Sequence, residues 1–297
     1  MCQRTLSGPC SFEGKGLHTG KFSQITINPA PADTGIIFVR QDTGAEIPAR
    51  ADHISATRRS TSIGIGRSHI GTVEHLLSAL TGLGIDNARI DVSTAELPIL
   101  DGSAAPFVEA IKHAGIKEQD APRRWIRPSR EIFVKNSSGS WVHIEPSDSP
   151  SLELTVDYGS RIIGVQTVKV NEDTDYATQI APCRTFCFLH EVWPLLALGL
   201  AKGGDLDNVI VAVERPVSQR RLDRMARMLG KPEVHVTPQG YLDNLSLRFP
   251  DECARHKMLD LLGDLRLCGG FLQARITAFK PGHAINTAAA AEILKNI

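Results

Sequence analysis

No uninterrupted apolar run in the 297-residue sequence approaches the ~20 residues needed to cross a bilayer. That pattern excludes a conventional spanning helix. The first residues, Met1-Cys2-Gln3-Arg4, lack the apolar core of a secretory signal, and the expected location is the cytoplasm. Charge of neither sign is in excess, since 33 basic residues balance 33 acidic ones. The balance argues against a nucleic-acid partner and against an acidic interaction chain. The six cysteines, at 2, 10, 183, 187, 253 and 268, form no CxxC pair. A chain this long builds a core without disulfide staples, so reduced and mostly buried thiols are expected. Cys183-x-x-x-Cys187-x-x-His190 gathers three metal-capable side chains. It lacks the fourth ligand with which a structural zinc site closes. What remains is a composition of 42% hydrophobic and 22% charged residues, that of a soluble globular protein. The length suits two ordinary domains without excluding one large one.

Strand signals dominate the start. Phe22–Asn28 and Ile36–Arg40 alternate apolar and polar residues between Pro- and Gly-containing turns, and a strand-rich patch runs from Ile47 to Gly66. Thr72 is placed to cap a helix over Val73–Leu80, closed by Gly82 and Gly84. A strand at Ala88–Val92 and a helix at Pro106–Ala114 follow. The polar stretch Ile116–Pro128 is the best linker candidate. Beyond it the order repeats: strands at Ile132–Val134, Trp141–Ile144 and Leu152–Asp157, then a helix over Glu252–Cys268, a strand at Gln273–Phe279 and a closing helix at Thr287–Lys295. Strands followed by helices in each half predict an α+β fold of two related domains, 1–121 and 122–297. The second half is interrupted twice. One interruption is apolar (Phe186, Phe188, Val192, Trp193, Leu195, Leu196, Leu198, Leu200); the other, about 216–245, carries Arg220, Arg221, Arg224 and Arg227. The arginines read as a solvated face.

The strongest local chemical signal is Arg255-His-Lys-Met-Leu-Asp260, continuing to Asp264. On a helix, His256, Asp260 and Asp264 share one face, surrounded by Ala254, Met258, Leu261, Leu262 and Leu265. Burying such groups is costly unless they are paired or bound to a metal. In isolation an H-x-x-x-D pair more often lies on a solvated face, and two ligands do not complete a site. Thr72-Val-Glu-His75 sets Glu74 and His75 in the first turn of a helix, a carboxylate beside a histidine as in metal-dependent hydrolases. Read alone, Glu74 is a capping carboxylate. His283, in Lys280-Pro-Gly-His283, follows a strand on a Gly-containing turn, where functional side chains and ordinary surface histidines both occur.

Taken together these blocks resemble the UDP-3-O-acyl-N-acetylglucosamine deacetylase family, the zinc amidases of lipid A synthesis. The resemblance runs through Gly14-Lys-Gly-Leu-His-Thr-Gly20, Thr72-Val-Glu-His75, Gly82-Leu-Gly-Ile-Asp-Asn87 and Glu96-Leu-Pro-Ile-Leu-Asp-Gly-Ser103. It continues in Arg184-Thr-Phe186, Gly203-Gly204, Arg255-His-Lys-Met-Leu-Asp260, Gly282-His283-Ala284 and Asn286, covering nearly the whole chain. It implies two domains of similar topology with helices layered between sheets, each carrying an insertion, and an active site between them. It implies one catalytic zinc on His75, His256 and Asp260, with the fourth position open; ligand types alone admit iron as well. By the same resemblance Glu74 is the general base and His283 the charged or proton-donating group. Asp264 orients His283, while Lys257 and Thr185 face the developing oxyanion. Which of Glu74 and His283 protonates the leaving amine stays open.

The resemblance also makes the apolar insert, about 184–209, a passage for the substrate's acyl chain, with Phe186, Phe188 and Val192 as lining candidates. It places Asp157, Tyr158 and Lys280 against the nucleotide-sugar part. Cys187 and Glu145 depart from the family, standing where relatives carry glycine and, in some cases, a basic residue. The implied partner is a UDP-linked acylated glucosamine, and nothing demands more than a monomer. Some members are fused to a hydroxyacyl dehydratase domain, so the sequence is open to being part of such a fusion. Two rival readings are a structural metal site and a lipid-binding module. The first leaves Glu74, Lys257 and His283 without purpose, and the second leaves the polar stripe of the helix unexplained.

Overall fold

The computed structural model describes residues 1–197 and 202–296. Two five-stranded sheets carry the fold, and their strands are ordered alike. The first runs Cys10–Lys15, Phe22–Pro29, Ala88–Val92, Ile36–Arg40, Glu46–Pro48; the second runs Ile132–Lys135, Trp141–Pro146, Ala274–Phe279, Ser151–Asp157, Val165–Asn171. In each, the central strand is antiparallel to its second-strand neighbour and parallel to the fourth. The expected α+β duplication therefore holds at the level of strand order.

The described residues also form seven α-helices: α1 (Glu74–Gly82), α2 (Ala105–Ala114), α3 (Tyr176–Gln179), α4 (Leu189–Ala197), α5 (Gln219–Met228), α6 (Glu252–Leu265) and α7 (His283–Leu294). α1 and α6 lie against each other and carry one continuous core through both halves. Leu76, Leu77 and Leu80 of α1 and Met258, Leu259, Leu261 and Leu265 of α6 are all buried in it. Each such side chain contributes about 1.5–3 kcal/mol. The approach is unusually close because Gly263 has no side chain. A Cβ there would meet the backbone oxygen of Glu74 at 2.0 Å.

Three local expectations change. Ile116–Pro122, part of the stretch read as linker, is a strand paired with Cys2–Leu6; its residues are all half-buried or exposed, which is why it reads as linker. Thr72 does not cap α1, whose N-cap position is Val73. Its backbone is in the left-handed region (φ 59) and its hydroxyl donates to Glu96 Oε1 at 3.1 Å, a hydrogen bond that holds a conformation β-branched residues resist. α7 begins at His283 rather than Thr287, so His283 is a helix N-terminal residue.

The insert pairs Phe186–Phe188 in parallel with Ile210–Ala212, with α4 between them in sequence. Its small core joins Leu189, Leu206 and Val211 to Leu222, Met225 and Ala226 of α5. Arg220, Arg221, Arg224 and Arg227 of α5 are exposed, as expected. The side chains of Leu195 and Leu196, and Leu198 and Leu200 entirely, fall outside what is described. No helix among the described residues is long and apolar enough to cross a membrane.

Candidate active site

The α1–α6 crossing brings together side chains that sequence spacing leaves in two groups. Glu74 and His75 occupy the first turn of α1, and His256, Asp260 and Asp264 form one buried stripe along α6. Ligand-capable atoms of His75, His256 and Asp260 lie within 4.8 Å of one another, and all three residues are buried. His75 Nε2 is 3.8 Å and His256 Nε2 3.5 Å from Asp260 Oδ1. The imidazole rings meet edge-on at 5.1 Å. His256 Nδ1 lies 3.0 Å from the Cys183 carbonyl oxygen. A carbonyl only accepts, so Nδ1 carries the proton and Nε2 keeps a free lone pair.

Electrostatics agree with a metal centre. Burial, reinforced by His256, pushes the His75 pKa down to about 3. Burial likewise lowers His256. Burial alone would raise Asp260, but Lys257, then the histidines, hold it well below the usual carboxylate range. Lys257 Nζ donates to Asp260 Oδ2 at 2.6 Å, whereas the buried Oδ1 has no hydrogen-bond partner among the described residues. Two neutral imidazoles and an ionised carboxylate with an orphaned oxygen form the donor set of a borderline divalent ion. The residues fit zinc.

Around this trio sits a second network. Glu74 Oε2 accepts the Thr61 N–H at 3.0 Å, and its Oε1 lies 3.9 Å from His283 Nε2. Burial pushes the Glu74 carboxyl up, partly offset by His283. Asp264 accepts from the Thr61 hydroxyl on one oxygen, and from His283 Nδ1 (3.0 Å) and Asn286 Nδ2 (2.9 Å) on the other. Burial by itself would lower His283, but Asp264 overrides it and raises the pKa to about 9.

These groups open into a cavity of about 310 Å³. Of the expected residues, Glu74, His75, Thr185, Phe186, Val192, His256, Lys257, Asp260 and His283 line it. Phe188 is not among the lining residues; its ring stacks on His190 and packs edge-on to Tyr158. Tyr158 also meets Phe186 edge-on at 5.6 Å. Asp157 pairs with Lys280 at 3.1 Å, outside the lining, and Glu145 pairs with Arg275 at 2.7 Å on the same sheet. Asp264 stands behind His283.

Sequence reasoning assigned no role to Thr61, His18, Arg59 or Glu191, although all but Thr61 line the cavity. The His18 N–H is held by Glu96 Oε1 at 2.8 Å. Its side chain lay within the recognised Gly14–Gly20 block, the one signal that could have found it. Thr61 carried none, because its partner Asp264 is 203 residues away.

The family described as UDP-3-O-acyl N-acetylglycosamine deacetylase (LpxC) matches residues 3–227 and 230–295. A bifunctional enzyme LpxC/FabZ of Chlorobaculum tepidum is 44% identical over 290 residues, 96% of this chain and 62% of its own length. That of Bacteroides thetaiotaomicron is 42% identical over 298 residues, 99% of this chain and 65% of its own. The chain thus spans slightly less than two thirds of these bifunctional relatives. A UDP-3-O-acyl-N-acetylglucosamine deacetylase of Anaeromyxobacter sp. is 40% identical over 293 residues, 98% of this chain and 88% of its own length. With a family match over 3–227 and 230–295 and relatives aligned over nearly its whole length, the chain belongs to the UDP-3-O-acyl N-acetylglycosamine deacetylase family.

Proposed function

We propose that the chain hydrolyses the N-acetyl group of a UDP-linked 3-O-acyl N-acetylglucosamine in lipid A biosynthesis, releasing acetate and the free amine. The observation carrying this reading is the buried trio with its orphaned Asp260 oxygen, set beside the Glu74 carboxylate in a cavity whose far side is apolar. Zinc at His75, His256 and Asp260, when bound, supplies Lewis acidity that acidifies water and polarises an amide carbonyl.

The chain's own groups divide the remaining work. Glu74 is the base that takes a proton from water, and its buried position makes its carboxylate more basic than an exposed one. His283, kept protonated by Asp264, faces the negative charge of the tetrahedral species. Lys257 holds its cationic head beside Asp260, and with the Thr185 hydroxyl it favours charge on the former carbonyl oxygen. Phe186 and Val192 offer an apolar wall to the acyl chain, with Phe188 supporting Tyr158. Tyr158, Asp157 and Lys280 receive the nucleotide-sugar part, where lysine supplies positive charge for a diphosphate. The six free thiols suit a reducing compartment, so the reading places a monomeric enzyme in the cytoplasm.

The test is acetate release from the UDP-linked substrate with and without a chelator. Glu74→Ala with metal retained is expected to lose about 10²–10⁴-fold in kcat; wild-type activity in that variant sinks the mechanism. His256→Ala is expected to abolish stoichiometric zinc, and unaltered metal content would sink the ligand assignment.

A further inference from the structure

His256 is oriented by a peptide group from another part of the chain. The carbonyl oxygen of the Cys183–Arg184 peptide accepts from His256 Nδ1 at 3.0 Å. The N–H of that same peptide, on Arg184, donates to Glu252 Oε1 at 3.0 Å. Glu252 opens α6 four residues before His256, so the two side chains stand one turn apart on the same helix face. A single peptide unit therefore bridges a carboxylate and an imidazole of one helix. Glu252 is fully buried and Arg184 is 5% exposed.

The carboxylate is completely satisfied. Arg184 Nε donates to Oε1 at 2.9 Å and Arg184 Nη2 to Oε2 at 3.1 Å, while the Arg248 N–H donates to Oε2 at 2.6 Å. The guanidinium compensates the buried negative charge, which by itself would be costly. That ion pair uses only the Arg184 side chain. The bond from the Arg184 backbone is additional, and it is the one that connects Glu252 to His256. A carboxylate pulling on a peptide N–H polarises the peptide and makes its carbonyl oxygen a stronger acceptor, by about 10–30% per bond in a chain of hydrogen bonds. A stronger acceptor at Nδ1 holds the ring in place and leaves Nε2 a better electron-pair donor. Glu252 is absent from the cavity lining, so any effect on the site passes through this peptide.

We propose that Glu252 is a positioning residue for the metal centre: through the Cys183–Arg184 peptide it fixes the His256 ring and strengthens Nε2 as a metal ligand. The proposal rests on the assignment of zinc to His75, His256 and Asp260 made above. It gives the buried Arg184–Glu252 pair a task beyond joining the start of α6 to the segment that leads into the insert.

Two variants of the same ion pair separate this task from plain stabilisation. Glu252→Gln removes the carboxylate charge from the peptide N–H, whereas Arg184→Lys keeps a positive charge and leaves the backbone bond in place. Zinc affinity is measured by competition with a chromophoric chelator. The His256 Nδ1–H proton resonance is followed in metal-free protein labelled with ¹⁵N-histidine, and it is assigned by its absence in His256→Gln. Glu252→Gln is expected to bind zinc about tenfold or more weakly and to move the resonance upfield, while Arg184→Lys stays within about twofold of wild type. Both are expected to melt lower, since each weakens a buried pair. Should Glu252→Gln fail to fold, the double variant Glu252→Gln with Arg184→Met takes its place, because it leaves no guanidinium unpaired. Wild-type zinc affinity without the carboxylate, an unmoved resonance, or equal losses of affinity in Glu252→Gln and Arg184→Lys would each overturn the proposal. Full zinc content in His256→Ala would instead overturn the metal assignment itself, and the proposal with it.

Discussion

Replacing Gly263 by alanine tests how closely the site depends on the crossing of α1 and α6. In an exposed helix the change favours the folded state by about 0.8–1 kcal/mol. Here the new Cβ would lie 2.0 Å from the Glu74 carbonyl oxygen, where ordinary contact begins at 3.4 Å. The deficit of about 1.4 Å falls on backbone, which cannot rotate away as a flexible side chain can. Overpacking of this kind costs about 1–3 kcal/mol, so the clash outweighs the propensity gain and a small net loss of stability results. Activity is expected to suffer far more. The displaced backbone belongs to Glu74 and is next to His75, while Gly263 precedes Asp264 and follows Asp260 by three residues on the opposing helix. A shift near 1 Å costs about 10² in rate when reacting groups are preorganised. The measurements are kcat/KM for acetate release, the thermal midpoint and bound zinc per chain. A variant that melts higher than wild type and keeps full activity refutes the reasoning, because propensity would then have won over contact.

The His283 pKa, raised to about 9 from an ordinary 6.5, ties stability to pH. The contribution is fully present below about pH 6.5 and is lost as pH rises through about 9. The stability difference between wild type and His283→Gln in urea melts should therefore narrow across that window, and a constant difference contradicts the assignment. Thr61→Val removes the hydroxyl that Asp264 accepts but keeps the N–H bonded to Glu74. A charged hydrogen bond of about 1.5–3 kcal/mol is lost, so kcat is expected to fall about 10–100-fold, with Thr61→Ser restoring it. Equal loss in both variants would mean that packing, not the hydrogen bond, matters. Val192→Trp narrows the apolar side of the first cavity. It should raise KM about tenfold or more for long acyl chains and less for short ones, and a uniform effect on both removes Val192 from the passage.

Covalent spacing alone determined a good part of this protein. Four-residue intervals put His256, Asp260 and Asp264 on one helix face whatever else the chain does, and that stripe is where the sequence placed it. Adjacent positions likewise tied Glu74 to His75. Repeated strand-then-helix order announced the duplicated sheets, because alternation of apolar residues is a local property of a half-covered strand. Recognised blocks supplied the assignment to a family but no distances.

Other features depended on contacts that no local pattern encodes. Ile116–Pro122 looked like a linker because its outer face is polar, and only its partner Cys2–Leu6 makes it a strand. Phe186 and Phe188 are equivalent in sequence, yet the first lines the cavity while the second supports Tyr158. Nothing around Thr61 in the sequence signals a role, since its partner is brought from 203 residues away. Above all, His75 becomes a neighbour of His256 and Asp260 only because Gly263 lets two helices from different halves touch. The sequence determined which side chains each helix presents, since that follows from bond geometry. Tertiary structure decided which helices face each other, since that follows from burial of the shared core, and a metal site requires both.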